Sequence, residues 1–237
     1  MNFTLKIIAT YFLLIILPII SQGQTQIGFK GGYIYYWFTG TDKYSYPAEY
    51  DYSHNAWSVA VTVRQRIPET PLNLGLEVEY ANRSFSLESS WGGLGGGNVA
   101  HYSYTIGNLY LHFQPQFKFG KKFKFYFYPG FYFGTLLNSK LNGTISYWDL
   151  GNPPEFGTEK LNGSAKGYYP DFEFGIYPGV GFEFPLYKNL NFLFEYSVTM
   201  NFLPIGSAWG SGEVKMLNMN FEIGVAYNLY RNKKAPK

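Results

Sequence analysis

The chain contains no cysteine, which excludes disulfides, zinc–thiolate centres, a catalytic thiol and a lipid-anchored N-terminal cysteine. Charge is scarce: 15% of residues are Asp, Glu, Lys or Arg, against about 25% in ordinary soluble proteins. The net charge of +3 is mild and no basic stripe runs through the chain, so nucleic acid is not an expected partner. Histidine occurs only at His54, His101 and His112. Past residue 20 no apolar run approaches the about 20 residues of a membrane-spanning helix.

What is abundant points the other way. Aromatics make up 21% of the residues, with 23 Tyr and 22 Phe, and there are 27 Gly. An aromatic-rich, glycine-rich, charge-poor chain is expected where much of the surface faces lipid. The first residues explain how it reaches a membrane. Lys6 is followed by the apolar run Ile7–Ile20 and then by Ser21-Gln22-Gly23, the three-part layout of a secretory signal peptide. As a helix that run rises about 21 Å, short of the about 30 Å hydrocarbon core, so cleavage before Gln24 is expected rather than anchoring. Residues 1–23 are assigned to the signal and 24–237 to a single domain.

The mature chain reads as eight segments with a period of two. They are 26–38, 55–66, 72–87, 101–118, 123–137, 171–186, 189–203 and the closing stretch "MLNMNFEIGVAYNLY" at 216–230. In the last, Leu217, Met219, Phe221, Ile223, Val225, Tyr227 and Leu229 alternate with Asn218, Asn220, Glu222, Gly224, Ala226 and Asn228. Such alternation gives a strand one apolar and one polar face. The connections alternate too: short at 67–71, 120–122 and 186–188, long at 39–54, 88–100, 138–170 and 204–213. Short turns on one side and long loops on the other mark an outer-membrane barrel. The fold expected is therefore all-β: an eight-stranded antiparallel transmembrane β-barrel, an up-and-down meander, with both termini in the periplasm. Pro115, Pro129 and Pro178 fall inside three consecutive strands, where a missing N–H breaks the ladder; bulges are expected there.

The polar phases carry Lys30, Arg64, Arg66, Arg83, Lys118 and Lys124, matched in number by Glu77, Glu79, Glu173, Glu183, Glu195 and Glu222. An eight-stranded barrel is just wide enough for side chains to fill it, and an unpaired buried charge is strongly unfavourable. These residues are expected to pair across the lumen, with Glu77, Glu79, Glu173 and Glu183 taking Lys30, Arg64 and Arg83. The apolar phases face lipid, and Tyr35, Trp37, Trp57, Tyr80, Tyr196, Tyr227 and Tyr230 suit interfacial girdles.

Two stretches also carry a family resemblance. "IGNLYLHFQPQFKFGKKFKFYFYPGFYFGTLL" (106–137) and "DFEFGIYPGVGFEFPLYKNLNFLFEYSV" (171–198) resemble hairpins of the PorT-like outer-membrane β-barrel family of Bacteroidetes-type, Gram-negative bacteria. The order Pro129-Gly130 departs from the Gly-Pro common there. The resemblance implies an eight-stranded barrel, and for one branch of the family a part in assembling the type IX secretion system. The run Glu222-x-Gly224-x-x-Tyr227-x-Leu229 resembles the C-terminal signal read by barrel-insertion machinery, which makes Gly224, Tyr227 and Leu229 an expected insertion address.

Chemistry is thin. Asp51-Tyr-Ser53-His54 reads as a polar loop, with no partner fixed by spacing. His101 and Ser103 share a strand face in the phase of Leu109 and Leu111, so both are placed towards the outer leaflet. The pair resembles the His-x-Ser of PagL-type lipid A deacylases, but no orienting acid accompanies it. Trp91-Gly-Gly-Leu-Gly-Gly-Gly97 lacks the Gly-Lys-Ser/Thr of a phosphate loop and reads as a flexible loop. No catalytic, cofactor-binding or metal-ligating set is expected. The leading reading is a non-enzymatic barrel, in contact with membrane lipid and insertion machinery, that serves as a binding, accessory or structural component. Its external loops would do the binding, and the resemblance adds secretion-system or envelope proteins as partners. The alternatives are a small-solute porin and the lipid A-modifying enzyme.

Overall fold

A computed structural model describes residues 24–39, 50–51, 56–151, 153–166, 169–203 and 215–229. The expected signal peptide, His54, Tyr230 and the basic C-terminal tail lie outside the described residues. Among the described residues run ten strands, β1 (Thr25–Thr39), β2 (Tyr50–Asp51), β3 (Trp57–Arg66), β4 (Leu72–Gly93), β5 (Gly96–Phe119), β6 (Lys124–Asp149), β7 (Glu155–Gly163), β8 (Phe172–Tyr187), β9 (Leu190–Asn201) and β10 (Lys215–Asn228). β1 pairs with β3, and the pairing continues through β4, β5, β6, β8, β9 and β10, which returns to β1. All pairs are antiparallel, so the sheet closes into an eight-stranded barrel. Every expected segment is one of its strands. β2 and β7 pair only with the outer parts of β4 and β6.

The short turns lie at one end. Gly120 takes a φ of 100° there, and Glu69 and Lys188 are also left-handed, at 60° and 40°. Both described chain ends meet at the same end: the Leu229 amide donates to the Thr25 carbonyl, and that of Asn228 to Asn189. In an outer-membrane barrel this is the periplasmic end.

At the other end the strands run further than their sequence pattern predicts. The expected loop 88–100 is the tip of a continuous hairpin, paired from Leu72↔Phe117 out to Gly93↔Gly96. The stretch 91–97 is its glycine-rich end rather than a flexible loop. Much of 138–170 is likewise strand, because β6 runs on to Asp149 and turns back as β7, from Leu141↔Gly163 to Asp149↔Glu155. Beyond Leu141 no residue of β6 or β7 is buried, so these outer parts lose the apolar phase that reveals a lipid-facing strand. β6 also reverses its faces at Leu137: Gly107 pairs with Asn138 but Asn108 with Leu136, leaving Leu137 as an extra residue.

Within the barrel the alternation is strict, as at the start of β3, where Trp57, Val59 and Val61 are exposed and Ser58, Ala60 and Thr62 buried. Phe29, Phe131, Phe182, Ile223 and Val225 are likewise exposed on the outer face, while Lys30, Glu77, Glu195 and Glu222 are buried within. A tilted strand needs only about 9–11 residues to cross a membrane, so an exposed apolar belt over a polar filling is a membrane wall.

The three prolines are not at bulges. Pro129 stands opposite Pro178. Pro115 lies level with them, since the β5–β6 register is the same on both sides of it, at Phe113↔Phe131 and Phe117↔Phe127. The prolines form one row across three neighbouring strands. The β4–β5 ladder is intact at Leu74↔Pro115, so the missing donor of Pro115 is the one facing β6. The β5–β6 ladder skips the residues between those flanking pairs without changing register.

Candidate functional site

The lumen is where the chain concentrates its chemistry, and it is built in layers. Every second residue of each strand points inward, so the wall delivers charges at fixed heights. In the middle, Lys30 on β1 meets three carboxylates. Its Nζ lies 2.7 Å from Glu77 and 2.9 Å from Glu222, and it also pairs with Glu195. Glu195 takes Arg64 on its other oxygen, and the Tyr126 hydroxyl donates to it as well. The Arg64 guanidinium sits 5.1 Å from the centre of the Tyr126 ring, and Tyr177 donates to Glu222 at 3.1 Å.

One layer outward, His112 Nε2 is 2.7 Å from Glu79 Oε2. Above that, Arg83 donates to the Tyr110 hydroxyl, which donates at 3.0 Å to Glu173. Glu173 also accepts from Asn108 at 2.8 Å and from Tyr169. The outer end is then closed by apolar side chains, among them Ile34, Tyr36, Phe85, Tyr104, Ile106, Leu141 and Met216. At the periplasmic end Glu183 holds Lys118 and Lys124, and accepts from Asn191 at 3.0 Å.

All nine expected lumen residues are therefore inside and buried, but their partners differ in part from those expected. Glu77, Glu195 and Glu222 share Lys30, with Arg64 on Glu195. Glu79 takes His112, Glu183 takes two lysines, and Glu173 reaches Arg83 only through a phenol. Buried tyrosines complete the filling, a component beyond the expected charges. Their signal is in 125–133, "FYFYPGFYF", where Phe holds the outer phase and Tyr the inner. Each ring needs space on the next strand, and glycine supplies it: a Cβ at Gly179 would lie 2.5 Å from the Tyr128 ring.

Glu77, Glu79 and His112 bring three potential metal ligands within 4.8 Å of one another. The Lys30 ammonium already stands against Glu77, and His112 against Glu79. The group is thus part of the ion-pair network. His101 and Ser103 face outward, as the period requires, but not beside lipid. Ser103 pairs with Ser86 and Asn142, and Thr105 with Ser84 and Lys140. That polar row belongs to the outer extension, beyond the apolar belt ending near Leu109. Of the expected insertion address, Tyr227 and Leu229 are exposed on the outer face, while Gly224 lies across from Lys30.

An apolar exterior, a closed wall and a side-chain-filled polar interior define an integral outer-membrane β-barrel protein. A family profile described as outer membrane protein beta-barrel domain matches residues 20–206, and the chain belongs to that family. Among curated proteins none matches. Solved structures similar to it include Ail, the attachment invasion locus protein of Yersinia pestis, at 12% identity, covering 86% of this chain and 99% of Ail with a TM-score of 0.36. A major outer membrane protein of Thermus thermophilus is 14% identical over 86% of this chain and 99% of its own, with a TM-score of 0.42. OprG of Pseudomonas aeruginosa is 15% identical over 88% and 97%, with a TM-score of 0.38.

Proposed function

We propose that the protein is a non-enzymatic binding or accessory component of the outer membrane and acts through the sheet that it raises outside the bilayer. The observation that carries this reading is strand length. β4, β5 and β6 have 22, 24 and 26 residues, against about 9–11 needed to span. The excess forms a blade of β4, β5, β6 and β7 with Leu94, Leu150 and Phe156 strongly exposed near its tip. Leu150 donates to the Gly95 carbonyl at 2.9 Å, which ties the two hairpin ends together. Exposed apolar groups held on a rigid support suit protein recognition. The family resemblance adds envelope or secretion-system proteins as the partner class.

The test is a pull-down of the native protein from outer membranes, beside a variant whose β6–β7 hairpin is cut back. Partners captured by the native chain and lost with the hairpin are the expected result; identical captures from both would refute the role of the blade. The transport reading is opposed by the filled lumen, and steady single-channel openings in planar bilayers would overturn that view. The enzymatic reading is opposed by the polar surroundings of His101 and Ser103. Replacing Ser103 by Ala is expected to leave the mass spectrum of lipid A unchanged.

A further inference from the structure

The lumen is closed towards its outer end by apolar side chains and blocked at mid-height by the Lys30 network, but among the described residues nothing closes its periplasmic mouth. There a recess of about 110 Å³ is lined by Arg64, Arg66, Lys118 and Lys124, with Glu183 as its one carboxylate among the described residues. Four cations against one anion leave a local charge of +3. With Arg64 assigned to Glu195 deeper in the lumen, +2 still remains. We propose that this recess is a binding site for a small oxyanion of the phosphate type, a site independent of the outer blade.

Three observations point to that ligand. First, the excess charge is what a phosphate dianion neutralises, whereas a single carboxylate would leave it half unmatched. Second, the cations are not all spent internally. Lys118 and Lys124 share the same Glu183, at 2.5 and 3.1 Å, so that pair of ammonium groups has one carboxylate between them. Arg66 is exposed, and among the described residues no carboxylate pairs with its guanidinium. Arg64 is buried and lines the recess with an Nε–H that lacks a hydrogen-bond partner. Third, the recess is polar beyond its charges, with Gln26, Asn73 and Asn228 also lining it. A water needs about 10–15 Å³ of such space, so the volume admits a phosphate group with several waters. Guanidinium and ammonium donors lining one recess are the pattern that recognises phosphate oxygens. Because the passage above is closed, an anion entering here stops. The arrangement is a receptor rather than a conduit.

The phosphate has two chemical sources, a free or small-molecule phosphate in the periplasm and the phosphomonoester head of a lipid. The full-length protein in detergent, at low ionic strength, is titrated calorimetrically with inorganic phosphate, with chloride as the control. Saturable one-to-one binding is expected. Arg66→Gln and Lys124→Gln should each weaken it by about three- to tenfold. Arg66 takes no part in the ion pairs of the lumen, so its variant keeps the test valid even where Lys124→Gln assembles poorly. Repeating the titration in nanodiscs of phosphatidylcholine, with and without phosphatidic acid, separates the sources. Suppression by phosphatidic acid assigns the site to a lipid headgroup, and undiminished binding assigns it to soluble phosphate. Absence of saturable phosphate binding by the native chain, or equal affinity in the Arg66→Gln variant, would overturn the proposal.

Discussion

Replacing Lys30 by Met removes one ammonium from the contacts of three carboxylates and leaves the outer face of the barrel untouched. Lys30 is fully buried, 2.7 Å from Glu77 and 2.9 Å from Glu222, and paired also with Glu195. After the change Glu195 keeps Arg64, and Glu222 keeps only the Tyr177 hydroxyl. Glu77 keeps no cation among the described residues. Removing one partner of a buried ion pair costs about 3–5 kcal/mol, because a charge stays desolvated and uncompensated. With two carboxylates stranded the loss belongs at the upper end of that range. Urea unfolding of the reconstituted protein, followed by tryptophan fluorescence and by the gel shift of the folded barrel, reads it directly. Adding Glu77→Gln and Glu222→Gln should recover much of the lost stability, since neutral amides need no counter-charge. A Lys30→Met variant within about 1 kcal/mol of the native chain would refute the reasoning. In that case lumen water, rather than Lys30, would be screening the carboxylates.

The wall of the barrel was legible because lipid imposes a rule on every second residue. In "NAWSVAVTVRQR" the apolar phase of Trp57, Val59, Val61 and Val63 survives unbroken, and the structure turns those residues outward. The same rule fails where there is no lipid. From Asn142 to Asp149 no residue of β6 is buried, no phase is enforced, and a long strand reads as a loop. The lumen charges were legible as a set for the same reason, but their partners were not. Pairing across a barrel depends on register and on strands distant in sequence: Lys30 and Glu195 lie 165 residues apart. No spacing in the sequence encodes Glu79 with His112, or brings Lys118 and Lys124 onto one carboxylate. The proline row is a further case. Pro115, Pro129 and Pro178 look scattered along the chain and become neighbours only once β5, β6 and β8 are set in register. The Tyr-on-Gly packing, by contrast, could have been found, since Tyr126, Tyr128 and Tyr132 stand in the inner phase and Gly175, Gly179 and Gly181 stand in the inner phase of the strand that follows in the barrel.

Three further outcomes test the architecture. Gly181→Val should destabilise the barrel by about 1–3 kcal/mol through overpacking, because a Cβ there would come within 2.6 Å of the Tyr126 hydroxyl; unchanged urea stability would dismiss the role assigned to the glycines. Val225→Lys puts a charge on the lipid face opposite Phe29 and Phe192 and should cost about 2–4 kcal/mol near the bilayer midplane. It is read as failed membrane assembly, and normal assembly would reverse the assignment of faces. Pro129→Val should do the opposite and stabilise. The prolines at 115 and 129 turn their donor-less nitrogens towards each other, so each faces a carbonyl that it cannot serve. A valine at 129 supplies an N–H to the Pro115 carbonyl while keeping an apolar side chain against lipid. Inside a bilayer an unsatisfied backbone group costs several kcal/mol, so even partial repair of one ladder bond should raise the urea midpoint and slow amide exchange in β5 and β6 around the gap. If Pro129→Val gives neither, the two strands already satisfy those carbonyls by another route, and the row of prolines is not a break in the wall.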